Sequence, residues 1–118
     1  MKKSYKTTQV EDSLIINWNG MVADSEGAAL NCVLLNPIIV SFEGDFDGAN
    51  VVMEGKIENK WFPLSCPDSR AIYSGSEEGL HIYGRYPYIR PRIINGGNKT
   101  NISVFLFCDT IPKRKLGR

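Results

Sequence analysis

A chain of 118 residues with 42% hydrophobic and 23% charged residues has the length and composition of one globular domain. No apolar run approaches the ~20 residues needed to cross a bilayer as a helix, and the basic start Met1–Lys6 is followed by no apolar stretch of the kind that makes a secretory signal. The net charge of +1 hides a segregation. Lys2, Lys3 and Lys6 give +3 within residues 1–8, and Lys113, Arg114, Lys115 and Arg118 give +4 within 111–118. The 13 acids and seven remaining bases between them leave a body of −6.

In chain order, Leu14–Trp18 reads as a first strand ended by Asn19–Gly20, and Asp24–Gly27 as a turn. Ala28–Leu35 is apolar and fits either a strand or a short helix; Asn36–Pro37 then punctuates. Ile38–Glu43 is a strand, since four of its six residues are β-branched or aromatic. Asp45–Gly48 turns the chain. Residues 50–58 alternate, with Val51, Met53, Gly55 and Ile57 on one face and Val52, Glu54, Lys56 and Glu58 on the other, the mark of a half-buried strand. Glu58–Lys60 closes a hairpin onto Trp61–Leu64.

Ala71–Tyr73 and Leu80–Tyr83 are short strands around a Gly75–Gly79 loop. Tyr86–Ile94 points Ile89 and Ile93 inward and Tyr88, Arg90 and Arg92 outward; Pro91, lacking an N–H, places this strand at an edge or a bulge. Asn95–Asn98 supplies positive-φ residues for a turn. In the last strand Ile102, Val104, Leu106 and Cys108 alternate with Ser103, Phe105 and Phe107, so both faces are apolar and the strand is central. Seven or eight short strands without a long helix describe an all-β sandwich of jelly-roll or immunoglobulin-like connectivity. The expected organisation is a basic arm at 1–13, the sandwich at 14–110 and a basic tail at 111–118. Its expected core is Val40, Phe42, Val51, Met53, Ile57, Ile89, Val104 and Leu106.

The side chains offer little for catalysis. His81 is the one histidine, with no nucleophile or carboxylate at useful spacing. Cys32, Cys66 and Cys108 are odd in number and widely spaced, which supports neither a disulfide framework nor a zinc site and suits a reducing cytoplasm. Asp45–Gly48 has the acidic start of a calcium loop but not its later ligands, and Asp and Gly are what turns use. No cofactor and no metal site are expected.

Binding is better represented. Trp18, Trp61, Phe62, Tyr73, Tyr83, Tyr86 and Tyr88 fit a carbohydrate platform, a protein interface or the sandwich core. Trp61 and Phe62 suit core or hairpin packing. Tyr86, Tyr88, Arg90 and Arg92 suit an interface, because Tyr and Arg anchor many of them. Basic tails on an acidic body suggest arms lying along an acidic neighbour, solvated ends being the plainer alternative. The acidic body argues against nucleic acid.

The order Trp18–Met21, Gly44–Val51, Glu54–Gly55, Trp61–Leu64, Tyr88–Ile93 and Gly96–Gly97 resembles the capsid cement, or decoration, proteins of short-tailed bacteriophages, over roughly Leu14–Cys108. Glu58–Asn59–Lys60 replaces the Asp-Gly hairpin of that pattern, and 28–36 is more apolar. The resemblance implies a non-enzymatic protein made in a bacterial cytoplasm and carried on the outer surface of an icosahedral head. Its partners would be the major capsid protein and further copies of itself, with no membrane. A carbohydrate- or receptor-binding module of a head or tail fibre is the alternative.

Overall fold

The computed structural model describes residues 2–64, 72–75, 77–81 and 86–110, for 77–81 the backbone alone. Cys66, Tyr83 and the tail residues Lys113, Arg114, Lys115 and Arg118 lie outside the described residues. Among the described residues there are twelve strands and no helix. The strands are β1 (Lys2–Lys3), β2 (Lys6–Val10), β3 (Ser13–Met21), β4 (Glu26–Gly27), β5 (Leu30–Asn31) and β6 (Leu35–Asp45). They continue as β7 (Ala49–Ile57), β8 (Lys60–Pro63), β9 (Ile72–Tyr73), β10 (Glu77–His81), β11 (Tyr88–Asn95) and β12 (Asn101–Thr110).

Two sheets pack as a β-sandwich. One runs β1-β4-β11-β7-β8, with β5 also on β11 and β9 also on β7; the other runs β10-β6-β12-β3-β2. Ile16, Trp18, Phe42, Val104 and Leu106 from the second sheet meet Val51, Met53, Ile89 and Ile93 from the first in one buried cluster. Alternation in β7, β11 and β12 therefore identified the inward faces correctly. β12 is central, as its two apolar faces suggested.

Several expectations are corrected. Ile57 is 49% exposed rather than core, because it sits at the end of β7 against the hairpin residue Lys60. β7 is also buried on its outer side at Val52 and Glu54, where β8, β9 and β11 flank it. Of the three readings open for Trp18 and Tyr73, the sandwich core is the one the structure bears out. Asn36 and Pro37 lie inside β6; the register against β12 slips beside Pro37, so the proline occupies a bulge where a ladder N–H is dispensable. β3 likewise continues through Asn19–Gly20, where its pairing with β12 shifts and Gly20 takes φ 69°. Glu77 and Glu78, expected in a loop, begin β10. The 28–35 segment forms the short strand β5 and a turn.

The segment 1–13, expected as an arm, carries β1 and β2. Lys2–Lys3 pairs in parallel with Glu26–Gly27, and Lys6–Val10 forms a hairpin with Ser13–Asn17. Between them Tyr5 sets its ring edge against Trp18, 5.6 Å between centroids. Trp18 in turn donates its indole N–H to the Ala28 carbonyl at 3.0 Å. The chain thus steps from one sheet to the other at Ser4–Tyr5 and closes one side of the core.

Two turns at one end of the sandwich interlock. Asp47 (φ 43°) and Gly48 (φ 79°) make the first turn, Asn95 (φ 64°) and Gly96 (φ 103°) open the second. The Lys99 N–H donates to the Asp47 carboxylate at 3.0 Å, and the Thr100 hydroxyl donates to the Phe46 carbonyl at 3.2 Å while accepting from the Gly97 N–H. Asn95 N–H donates to the Asp24 carboxylate at 2.9 Å.

Candidate functional site

The outer face of the first sheet gathers the residues with binding chemistry. In β11, Tyr88, Arg90 and Arg92 stand opposite Lys56, Glu54 and Val52 of β7; Trp61 of β8 stands opposite Lys56 from the other side. Side chains directly opposite one another in a pleated sheet share a face. The register therefore sets Tyr88, Lys56 and Trp61 in one row across three strands, with Arg90 and Glu54 in the next.

β11 is an internal strand, not an edge. Pro91 is accommodated differently: β5 and β4 cover the β11 edge only at Tyr88–Ile89 and Arg92, leaving a break opposite Pro91. The Ile93 N–H points to this side, donating to the Ser25 carbonyl at 2.8 Å. Residues two apart share an N–H direction, so the missing N–H of Pro91 faces the break and costs no ladder bond.

Arg90 holds the face together. Its Nε donates to Glu54 Oε1 at 3.0 Å and its Nη1 lies 2.9 Å from Glu26 Oε2. Its guanidinium carbon stacks 4.0 Å from the centre of the Trp61 ring. The side chains of Arg90 and Glu54 are only 14% and 7% exposed, so this pair is largely withdrawn from water. Burying it is tolerable because each charge has a partner and hydrogen bonds. Arg92, 46% exposed, reaches the second Glu54 oxygen at 3.5 Å. Lys56 Nζ sits 5.7 Å from the Trp61 ring centre and 5.8 Å from that of Tyr88.

Four residues had been expected to form an interface strand, and the structure separates them. Tyr88 (38% exposed) and Arg92 are available to a partner. Arg90 is committed to the acids beneath it. Tyr86 lies on the opposite, inner side of the sheet, half-buried and packed over Gly55, where an added Cβ would come within 2.5 Å of its ring. Trp61, expected to pack in the hairpin, does so as the lid on Arg90. Lys56, Glu54 and Glu26 belong to the face although sequence reasoning gave them no part in it. An Arg-x-Arg alternation facing a Glu-x-Lys alternation was the available signal, but only the β7–β11 register joins the two.

The other outer face is apolar. Ile15, Ile39, Phe105 and Phe107 line a shallow groove of about 470 Å³ with Ser41 and Glu43 on its rim. Cys32 and Cys108 are buried free thiols; burial pushes Cys32 up to about 11 and Cys108 up to about 12, so neither is a nucleophile at neutral pH. His81 lies in β10, beside Ile39 of β6. Compared with protein-family models, curated proteins and solved structures, the chain matches none.

Proposed function

We propose that the chain is a structural protein of a phage virion, a non-enzymatic capsid decoration protein that binds the outside of an icosahedral head and bridges major capsid protein subunits. Two lines support this reading. One is the resemblance of the Gly44–Val51, Trp61–Leu64 and Tyr88–Ile93 segments to such proteins. The other, which carries the argument at residue level, is the rigid tyrosine–tryptophan–arginine array on the first sheet. Such side chains dominate binding where they are held in place before the partner arrives, because less rotamer freedom is lost on docking. Here the buried Arg90–Glu54 pair and the Trp61 stack supply that ordering. Contacts of this kind, individually weak, gain strength when repeated over a lattice through effective concentration.

The contact residues within the face are Tyr88 and Arg92, with Trp61 and Lys56 beside them. Lys113, Arg114, Lys115 and Arg118 remain candidate shell contacts on charge alone. A glycan-binding role would require an open aromatic face; Arg90 already covers one side of Trp61. The test is binding of purified protein to undecorated heads. Tyr88→Ala with Arg92→Ala should stay folded and lose occupancy. Unchanged occupancy, or binding to a glycan instead, would overturn the proposal.

A further inference from the structure

β2 closes one edge of the second sheet, and all five of its residues are exposed. Residues on both of its faces are exposed, and among the described residues no strand pairs with its outer edge. Edge strands are ordinarily guarded by proline, bulges or inward charges. β8, at an edge of the other sheet, ends in Pro63. β2 reads Lys-Thr-Thr-Gln-Val, three of five β-branched, with no proline or glycine and its one charge at the end.

The hairpin fixes which backbone groups are free. Val10 pairs with Ser13 across the two-residue turn Glu11–Asp12. A two-residue turn closes on a pair that exchanges both hydrogen bonds, and such pairs alternate along the ladder. Lys6, Thr8 and Val10 thus direct their N–H and C=O to β3, and Thr7 and Gln9 direct theirs outward.

We propose that two copies of this chain pair β2 against β2, antiparallel, about a twofold axis at Thr8. The two five-stranded sheets then join into one. In this register Thr7 lies opposite Gln9 of the partner subunit and Gln9 opposite the partner's Thr7, so all four outward groups on each copy find partners. Thr8 meets its own copy on the axis, a favourable cross-strand pair. Lys6 lies opposite Val10 of the partner subunit and next to its acidic Glu11–Asp12 turn, so opposite charges approach and like charges do not. The closed twofold uses up the β2 edge on both copies. Because Thr8 shares its face with Ile15, Phe107 and Ile39, the twofold also sets both apolar grooves on one side of the joined sheet.

The association is read on free protein and does not depend on the capsid reading. Sedimentation velocity of the full chain over a concentration series should show a monomer–dimer equilibrium. Thr7→Pro removes an outward N–H without touching the β2–β3 ladder, and should give monomer with an unchanged circular dichroism spectrum. In a Cys66→Ser background, Thr8→Cys places two thiols on the axis at a non-hydrogen-bonded pair, within disulfide range. With oxidised glutathione, Thr8→Cys should link into dimers on the order of tenfold faster than Thr7→Cys, which faces Gln9 of the partner subunit. Monomer at every concentration, or equal linking of the two variants, would overturn the proposal.

Discussion

The guanidinium of Arg90 lies 4.0 Å from the centre of the Trp61 ring while its Nε donates to Glu54 at 3.0 Å. One side chain thereby ties β11 to β7 and β8 on the outer face of the sheet, and its second arm reaches Glu26 of β4. Arginine suits this place because a planar fork can stack and serve two carboxylates at once; lysine cannot.

We expect Arg90→Met to lower the unfolding free energy by about 2–4 kcal/mol, since it strands Glu54 in a mostly buried site. Arg90→Lys should fall between wild type and Arg90→Met. The double variant Arg90→Met with Glu54→Leu should cost less than Arg90→Met alone, because the mostly buried carboxylate is gone too and the charges that lose a partner, Glu26 and Arg92, are the more exposed ones. Urea denaturation of these proteins and of Glu54→Leu alone checks this; additive losses would show that the pair is only a surface contact.

Gly27 sits at a tightly packed point of the core. A Cβ there would lie 2.6 Å from Trp18 Cδ1 and 2.7 Å from Pro91 Cδ, and both neighbours are fixed, one by its bond to Ala28 and the other by its ring. Gly27→Ala should destabilise by about 1–3 kcal/mol through overpacking. In a Trp61→Phe background the emission of Trp18 should move to longer wavelength as its indole is displaced. An unshifted spectrum with wild-type stability would mean that the contact relaxes freely.

The buried thiols give a pH dependence with a definite sign. Burial is the main cause of both rises, with Cys32 and Asp109 adding to that of Cys108 and a hydrogen bond from the Ile89 backbone opposing that of Cys32. In the unfolded chain these thiols ionise near 9.0; in the folded chain they hold their protons to about 11 and 12. Between those values the folded state binds more protons than the unfolded one, so stability is full below pH 9 and falls as pH rises. Unfolding curves at successive alkaline pH values should show that slope, and Cys108→Ala should reduce it. Native alkylation at neutral pH should be slow in a Cys66→Ser background.

The sandwich and most of its core were legible because period-two alternation survives in β7, β11 and β12 whatever lies beside them. Alternation assigns a face but not how far the opposing sheet extends, and this is why Ile57 was placed in the core. On sequence Trp18 fits surface and core alike, because the space for it comes from Gly27 and Ala28, in a turn whose packing no local pattern announces. Pro37 looked like an interruption and Pro91 like the mark of an edge or bulge, because a missing N–H is harmless only where the partner strand is bulged or broken, which only the register reveals. The candidate face was half legible. Outward Tyr88 and Arg92 follow from strand direction, whereas the withdrawal of Arg90 depends on Glu54, 36 positions away.

Tyr88 and Arg92 should behave as contact residues without being structural ones. Each alanine substitution should leave the unfolding free energy within about 1 kcal/mol of wild type, since both are substantially exposed. Each should weaken binding to heads by roughly tenfold, the loss of one interface anchor worth about 1.4 kcal/mol.

The most direct measurement is quantitative mass spectrometry of purified phage particles whose genome encodes this chain. A decoration protein should be present in numbers comparable with the major capsid protein, and should fall selectively in particles carrying Tyr88→Ala with Arg92→Ala while capsid and tail proteins stay constant. Absence from the particle, or a few copies fractionating with the tail, would contradict a role on the shell.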